Sequence, residues 1–200
     1  MTQTRPISPS SAARAVVFVE GTSDQRALEA LAARTGFDLG AAAVEVVEIG
    51  GATNIWRYLE LYRTRHRDVN VGGLCDANQE QAFRRALAQF DFGSNLSRDE
   101  MEAIGFFVCD ADIEDELIRS LGIDRVLEII EGEGELQSFR TYQKQPAHSA
   151  RALEQQVHGF MWNRKFRYAR LLVDALDLDR VPHPLAGVLA YAMKPDPEVP

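Results

Sequence analysis

Hydrophobic patterning divides the chain into an alternating first half and a helical second half. In the first half, short apolar runs stand at residues 15–19, 44–49, 69–75 and 105–109, and segments with helical apolar spacing separate them. Runs that are apolar on both faces are typical of buried strands in a parallel sheet. The alternation therefore predicts an α/β fold with a parallel sheet of about four strands, joined by right-handed helical crossovers.

From residue 113 onward, apolar residues recur at helical spacing almost to the end of the chain. The predicted helices are the segments 117–122, 124–132, 135–143, 151–161, 164–177 and 185–193. We expect one domain over residues 15–193, with an α/β core at about 15–121 and an all-helical C-terminal extension at about 122–193. Residues 1–14 and 194–200 are expected to form a flexible lead and a frayed tail.

Acidic residues follow three of the four predicted strands. They are Glu20 and Asp24 after the first strand, Asp76 after the third, and Asp110, Asp112 and Glu114 after the fourth. Because the carboxyl ends of parallel strands open into one crevice, these carboxylates are expected to converge. Two ionised carboxylates about 5 Å apart repel by roughly 3 kcal/mol at an effective dielectric near 20. Such a cluster needs cations, and oxygen ligands favour Mg²⁺ or Mn²⁺.

Each acidic cluster, taken singly, also has a purely structural explanation. Asp24 can complement the dipole of the first helix, and Asp76 can cap the helix that follows it. Asp115 and Glu116 extend the third cluster into a helix start, where negative charge is tolerated. Capping does not readily account for acids after three of four strands, so the joint pattern favours a metal site.

Composition limits the class of protein without deciding it. The 200 residues are 46% hydrophobic and 26% charged, as in an ordinary globular domain. The net charge of −8 argues against a general nucleic-acid coat protein but not against a nuclease, since metal-site acids inflate the count. Cys75 and Cys109 are expected to be buried thiols in a reduced compartment. With no membrane span and no signal peptide, we expect a cytoplasmic protein.

Taken together, these residues resemble the TOPRIM domain, most closely the version found in OLD-family (overcoming lysogenization defect) nucleases. The similarity rests on VEGTSD at 19–24, CDAN at 75–78, DIEDEL at 112–117 and RKFRYARLLVDAL from 164. It covers about residues 16–193. OLD proteins usually carry an ATPase ahead of this domain, whereas this sequence has no Walker loop. The chain looks like the TOPRIM unit standing alone, with no ATP site.

The resemblance implies a metal site and a catalytic base. It assigns metal binding, with one or two Mg²⁺ or Mn²⁺ ions, to Glu20, Asp24, Asp76, Asp112 and Glu114. Glu20 would also serve as the general base on water, and Lys165 would stabilise charge that develops on the phosphate.

This sequence departs from the TOPRIM pattern at one position. Many TOPRIM domains have an aspartate where this chain has Asn78, whose side chain can ligate a metal but adds no charge. Asp110 and Asp112 could compensate, so Asn78 and Asp110 are possible further ligands. Activity with one metal instead of two stays open.

Possible phosphate- and DNA-binding groups lie outside the acidic clusters. Gly50, Gly51 and Asn54 form a loop after the second strand that either holds a phosphate through backbone amides or simply makes the turn. Arg164 and Arg167 lie in the basic helix of Lys165 and either position DNA backbone or form a solvated face. The cations at 57–67 either grip DNA or suit a helix end.

Aromatic residues and histidines are assigned no functional role. Trp56 and Trp162 are expected in the core rather than as platforms for base stacking. The histidines, His66, His148, His158 and His183, are scattered and lack the spacing of zinc ligands.

The sequence thus predicts a metal-dependent phosphodiester hydrolase, an endonuclease acting on DNA. One alternative is a non-catalytic TOPRIM module that binds nucleic acid or a separate ATPase partner. Another is a haloacid-dehalogenase-type phosphatase with Asp110 as nucleophile and Asp112 as general acid. DNA or RNA, single or double strands, the choice of metal and the oligomeric state all stay open.

Overall fold

A parallel β-sheet organises the molecule, and it is formed as the hydrophobic pattern predicts. The computed structural model describes residues 13–65 and 69–194. Its strands are β1 Ala15–Val19, β2 Val44–Glu48, β3 Asn70–Cys75 and β4 Phe106–Val108, in the spatial order β2-β1-β3-β4. All neighbours are parallel, and Val17 of β1 lies between Val46 and Gly72. The predicted four-stranded α/β fold is confirmed.

Helices cover both faces of this sheet and form most of the second half. Their bounds are α1 Thr22–Arg34, α2 Ile55–Arg65, α3 Glu80–Gln89, α4 Arg98–Ala103, α5 Ile113–Leu121, α6 Ile123–Gly132, α7 Leu136–Gln143, α8 Leu153–Met161, α9 Lys165–Ala175 and α10 His183–Met193. The helix predicted at 117–122 begins four residues earlier, because Asp112 caps it by accepting from the Asp115 N–H. The strand predicted at 105–109 is shorter, since Gly105 takes a φ of +92°.

Burial on both faces explains why the strands are apolar throughout. All five residues of β1 are buried, and their side chains alternate between two cores. Val17 and Val19 face a core with α1, α9 and α10, whereas Val16 and Phe18 face one with α2 and α3. Phe18 packs against Tyr62 with ring centroids 5.3 Å apart. The expected reduced thiols, Cys75 and Cys109, are both buried and free.

The helical second half closes over one face of the sheet. Helix α9 packs along α1, and α10 packs on β3 and β4. Close approach requires glycine at Gly105, where a Cβ atom would lie 2.3 Å from the Tyr191 ring. Because α9 lies against α1, its first residue, Lys165, is brought to the end of the sheet where β1 terminates.

The predicted lead and tail fall outside the described residues, apart from 13, 14 and 194. Arg14 donates to the carbonyls of Ala42 and Ala192, so this residue is attached to the folded domain. Within the described ranges, no helix is long and apolar enough to cross a membrane.

Candidate active site

The carboxyl ends of the two central strands meet through a hydrogen bond. Glu20 directly follows β1, Asp76 directly follows β3, and the backbone N–H of Asp76 donates to Glu20 Oε1 at 2.8 Å. Burial raises the pKa of Glu20, while the Asp76 N–H and the positive charge of Lys165 oppose that rise. The expected juxtaposition of these two acids follows from the parallel register.

Asp24 is a buried carboxyl at the centre of this group. It lies in the first turn of α1, accepts from the Gly21 N–H at 2.9 Å, and is only 8% exposed. Burial, with added repulsion from Asp76, Glu114 and Glu20, raises the pKa of Asp24 to about 8. Asp24 is therefore largely protonated at neutral pH until a cation offsets the neighbouring charges.

The pKa of Asp76 is also raised, but less than that of Asp24. Burial raises its pKa to about 7, and repulsion from Glu20 and Asp112 adds to the effect. Lys165 opposes the rise. Two neighbouring carboxyls whose pKa values lie near neutrality, one in the first turn of α1 and one at the end of β3, are typical of functional sites.

The third cluster is positioned by the start of α5. Asp112 caps the helix, and both of its oxygens lie within 3.0 Å of His158 Nε2. Although burial alone would raise the pKa of Asp112, the hydrogen bonds from His158 and the Asp115 N–H lower it. The surroundings therefore favour the ionised form of Asp112, and a histidine from α8 holds it.

Lys165 reaches into the carboxylates from the start of α9. Its Nζ lies 2.7 Å from Glu114 Oε2 and 3.8 Å from Asp112 Oδ2. Glu114 is 1% exposed, and its Oε1 atom is buried with no hydrogen-bond partner in the described structure. A buried, unpartnered carboxylate oxygen is costly unless a ligand satisfies it.

These residues fit a hard divalent cation. The donors are carboxylate oxygens, they carry excess negative charge, and Glu114 Oε1 lacks a partner. Within the described ranges, however, no three His, Cys, Asp or Glu side chains already stand grouped to hold a metal. The Lys165 ammonium compensates part of the charge instead. Metal binding would therefore require these side chains to turn toward a common point.

The two possible further ligands, Asp110 and Asn78, are both exposed. Asp110 is 65% exposed in its side chain and forms ion pairs with Arg98 at 3.2 Å and Arg119 at 3.3 Å. Because Asp110 is already paired with both arginines, it is badly placed as a metal ligand. For the same reason it is badly placed as the nucleophile of a phosphatase. Asn78 is exposed in the 3₁₀ turn after Asp76.

The arginines proposed for DNA backbone are already paired. Arg164 donates to the Phe160 carbonyl at 2.9 Å and lies 3.4 Å from Glu135. Arg167 pairs with Glu133 and, at 3.1 Å, with Glu135. These contacts fasten α9 to the junction of α6 and α7, so the structure favours the structural alternative for both residues.

The glycine loop after β2 is hydrogen-bonded to the backbone of Glu20. The Gly51 N–H donates to the Glu20 carbonyl at 3.0 Å, and the Asn54 amide donates to the carbonyls of Ile49 and Gly50. Gly50 and Gly51 have φ values of +68° and +106°, which favour glycine. Turn formation thus accounts for all three predicted loop residues.

Sequence reasoning missed two features of this site. His158 holds Asp112, and Trp162 is 59% exposed beside Lys165, whose Nζ lies 4.2 Å from the Trp162 ring centroid. Trp56 is 47% exposed, so the expectation that both tryptophans lie in the core is wrong. The sequence did contain a signal for His158 and Trp162. Val157, Phe160 and Met161 form the buried stripe of α8, and neither His158 nor Trp162 lies on that stripe.

Comparison with solved structures places this architecture among known folds. The C-terminal region of the Xanthomonas campestris pv. campestris OLD protein superposes with a TM-score of 0.67 at 22% identity, covering 92% of this chain and 96% of that one. The C-terminal region of the Burkholderia pseudomallei OLD protein gives 0.68 at 20% identity, covering 90% and 97%. At these identities the likeness establishes the fold.

Sequence comparison agrees over the first part of the chain. No curated protein matches the sequence. Residues 13–77, which hold Glu20, Asp24 and Asp76, match the family model of the overcoming lysogenization defect protein-like TOPRIM domain. Residues 13–77 are therefore similar to this TOPRIM domain, and the chain as a whole has the fold of the C-terminal regions of OLD proteins.

Proposed function

We propose that this chain hydrolyses phosphodiester bonds of DNA, as an endonuclease that needs Mg²⁺ or Mn²⁺. The observation that carries this proposal is the convergence of acids from three strand ends around Lys165. The match of residues 13–77 to the OLD-like TOPRIM domain supports the proposal, because that fold is of the metal-binding nuclease type.

Carboxylates alone would repel a phosphodiester, so the site needs a cation to bind its substrate. The residues that would hold one or two ions are Glu20, Asp24, Asp76, Asp112 and Glu114. Such ions would neutralise the phosphate and polarise its oxygens. The unpartnered Glu114 Oε1 and the raised pKa values of Asp24 and Asp76 support this ligand set, since both features are relieved when a cation arrives.

Glu20 is the best placed base for the attacking water. Its Oε1 accepts from the Asp76 N–H, and no hydrogen bond to Oε2 is found in the described part of the chain. The raised pKa makes its carboxylate a better proton acceptor near neutrality. Oε2 would take the proton of a water that attacks phosphorus, while the bond from phosphorus to the leaving oxygen of the DNA backbone breaks and solvent protonates that oxygen.

Lys165 supplies positive charge where the phosphate would lie. Burial lowers the pKa of its ammonium, but Glu114 and Asp112 more than offset this, and the net pKa is raised. The residue therefore stays protonated, and Glu114 orients it. Donating to a non-bridging oxygen, Lys165 would stabilise the extra charge of the transition state.

Incision of supercoiled plasmid tests this proposal. Purified protein is incubated with Mg²⁺, Mn²⁺ or chelator, beside Glu20→Gln, Asp24→Asn and Lys165→Met. Matched controls are Glu29→Gln on α1 and Arg170→Gln on α9, which remove charges outside the cluster. We expect metal-dependent nicking that the site variants lose by at least about 100-fold and the controls keep. Failure of the wild type to cleave any DNA with either metal would overturn the proposal.

A non-catalytic module that binds nucleic acid or a separate ATPase is the second candidate. Its support is that, in the described residues, no three donors are already grouped for a metal. It predicts DNA or partner binding that is unaffected by chelator and produces no cleavage. The plasmid assay, run with a parallel binding measurement, separates the two candidates.

A further inference from the structure

A groove of about 820 Å³ opens next to the acidic cluster. Asp112 and His158 line it on the side of the cluster, so the groove and the proposed active site share residues. Its other main walls are Tyr142, His148, Arg151 and Trp162. The volume lies within the range of about 300–1,000 Å³ that is usual for small-ligand sites.

Aromatic rings line part of this groove. Trp162 is 59% exposed, even though Lys165 lies over its ring. Tyr142 and His148 stack on each other with centroids 3.9 Å apart and an interplanar angle of 16°. Exposed aromatic faces beside a phosphate site are the usual platforms for unpaired bases.

The groove also contains polar groups that lack partners. His148 Nδ1 is buried and forms no hydrogen bond within the described residues. The Arg151 side chain is exposed, and no carboxylate in the described structure pairs with it. Arg164 and Arg167, by contrast, are both paired with acids. Arg151 is thus a cation with its charge available to a ligand.

Two of the three carboxylates in the lining are already compensated. Asp112 is bonded to His158 at 2.8 Å, and Asp115 is paired with Arg119 at 2.8 Å. Of the three lining carboxylates, only Glu154 has no cationic partner among the described residues. The groove therefore does not repel an anion as the acidic cluster does.

Gly159 gives the groove its shape. A Cβ atom at this position would lie 2.4 Å from the Tyr142 hydroxyl oxygen, so the glycine lets Tyr142 close onto α8. Glycine inside a helix is destabilising relative to alanine. The close approach of Tyr142, and with it the stacked His148, depends on that residue.

We propose that this groove holds an unpaired nucleotide of the DNA substrate, next to the phosphate that is cleaved. Its base stacks on Trp162, and a phosphate of the same strand faces Arg151. Bases inside a duplex are stacked on each other and cannot reach a tryptophan face without leaving the helix. This inference rests on the proposed function and names its substrate class, which is DNA with a single-stranded segment at the site.

The two tryptophans of the chain allow a direct binding test. In Trp56→Phe, Trp162 is the sole tryptophan, and its fluorescence is followed as an eight-nucleotide oligothymidylate is added with Ca²⁺ in place of Mg²⁺. We expect quenching, and protection of Trp162 from iodide. A longer, GC-rich blunt duplex that stays fully paired under the assay conditions should give neither. In the matched variant Trp162→Phe, the remaining Trp56 should not respond.

Abasic substitutions and groove variants extend the test. An eight-nucleotide strand in which every position is abasic keeps the phosphates but has no base to stack, and it should not quench Trp162. Trp162→Ala and Arg151→Ala should each weaken binding of single-stranded DNA by on the order of 5- to 150-fold, whereas Trp56→Ala should not. Trp162→Phe keeps a stacking face and should restore most of the affinity.

The outcomes separate this inference from the proposed function. Quenching by single strands without cleavage of any DNA would support the groove and overturn the hydrolase. Cleavage of duplex DNA that is unchanged in Trp162→Ala, with no quenching by single strands, would overturn the groove and leave the hydrolase standing. Equal quenching by duplex and single strands would also overturn the groove assignment.

Discussion

Removal of the Lys165 ammonium should destabilise the metal-free protein, and a divalent ion should reverse that loss. In Lys165→Met, the Glu114 carboxyl stays at 1% exposure but no longer has a cation at 2.7 Å. Removing one partner of a fully buried ion pair costs about 3–5 kcal/mol. Since Lys165 itself is only half-buried, we expect a loss nearer 2 kcal/mol. For a protein of this size that is a fall in Tm of about 4–8 °C.

Thermal and urea unfolding, each with chelator and with Mn²⁺, measure this loss. The ion should stabilise Lys165→Met more than the wild type, because it then replaces the positive charge that Lys165 places beside Glu114. The double variant Lys165→Met, Glu114→Gln should regain most of the lost stability in chelator, since the buried charge is gone. If Lys165→Met is as stable as the wild type in chelator, the ammonium does not compensate the cluster and the reasoning fails.

Three further predictions concern the cluster and its surroundings. The fold raises the pKa of Asp24 to about 8, so the Asp24 carboxyl binds more protons in the folded state than in the unfolded state. The free energy of unfolding in chelator should therefore fall as the pH rises from about 4 through 8. Asp24→Asn should flatten that decline when unfolding is followed by urea titration. His158→Phe removes the hydrogen bonds to Asp112, and calorimetric titration should show Mn²⁺ affinity about 10- to 100-fold lower; unchanged affinity would mean that His158 does not orient a ligand. Arg164→Gln and Arg167→Gln should leave the salt dependence of DNA binding unchanged, since both cations are paired with acids; a flatter slope for either variant would show that it contacts phosphate.

The parts of this structure that follow from local pattern could be predicted from sequence. Residues 15–19 are apolar at every position, and β1 is indeed buried on both faces. Once the sheet is parallel, the positions of Glu20 and Asp76 at one edge follow from topology alone. The register then sets the hydrogen bond between them.

The parts that depend on how the helical half folds back could not be predicted. Whether Asp110 or Asp112 joins the cluster depends on the cap of α5 and on arginines from α4 and α5, which spacing does not reveal. Arg167 finds Glu133 and Glu135 more than thirty positions away, at the α6–α7 junction. His158 meets Asp112 only because α8 lies beside α5.

Incision of supercoiled plasmid, followed in the same titration as Mn²⁺ binding, tests the central claim most directly. Electron paramagnetic resonance reports bound Mn²⁺ while gel electrophoresis reports nicked DNA. The account predicts that nicking rises with occupancy of the cluster, and that Asp24→Asn with Asp76→Asn loses both signals. Incision that persists in chelator, or Mn²⁺ bound at the cluster without any incision, would contradict it.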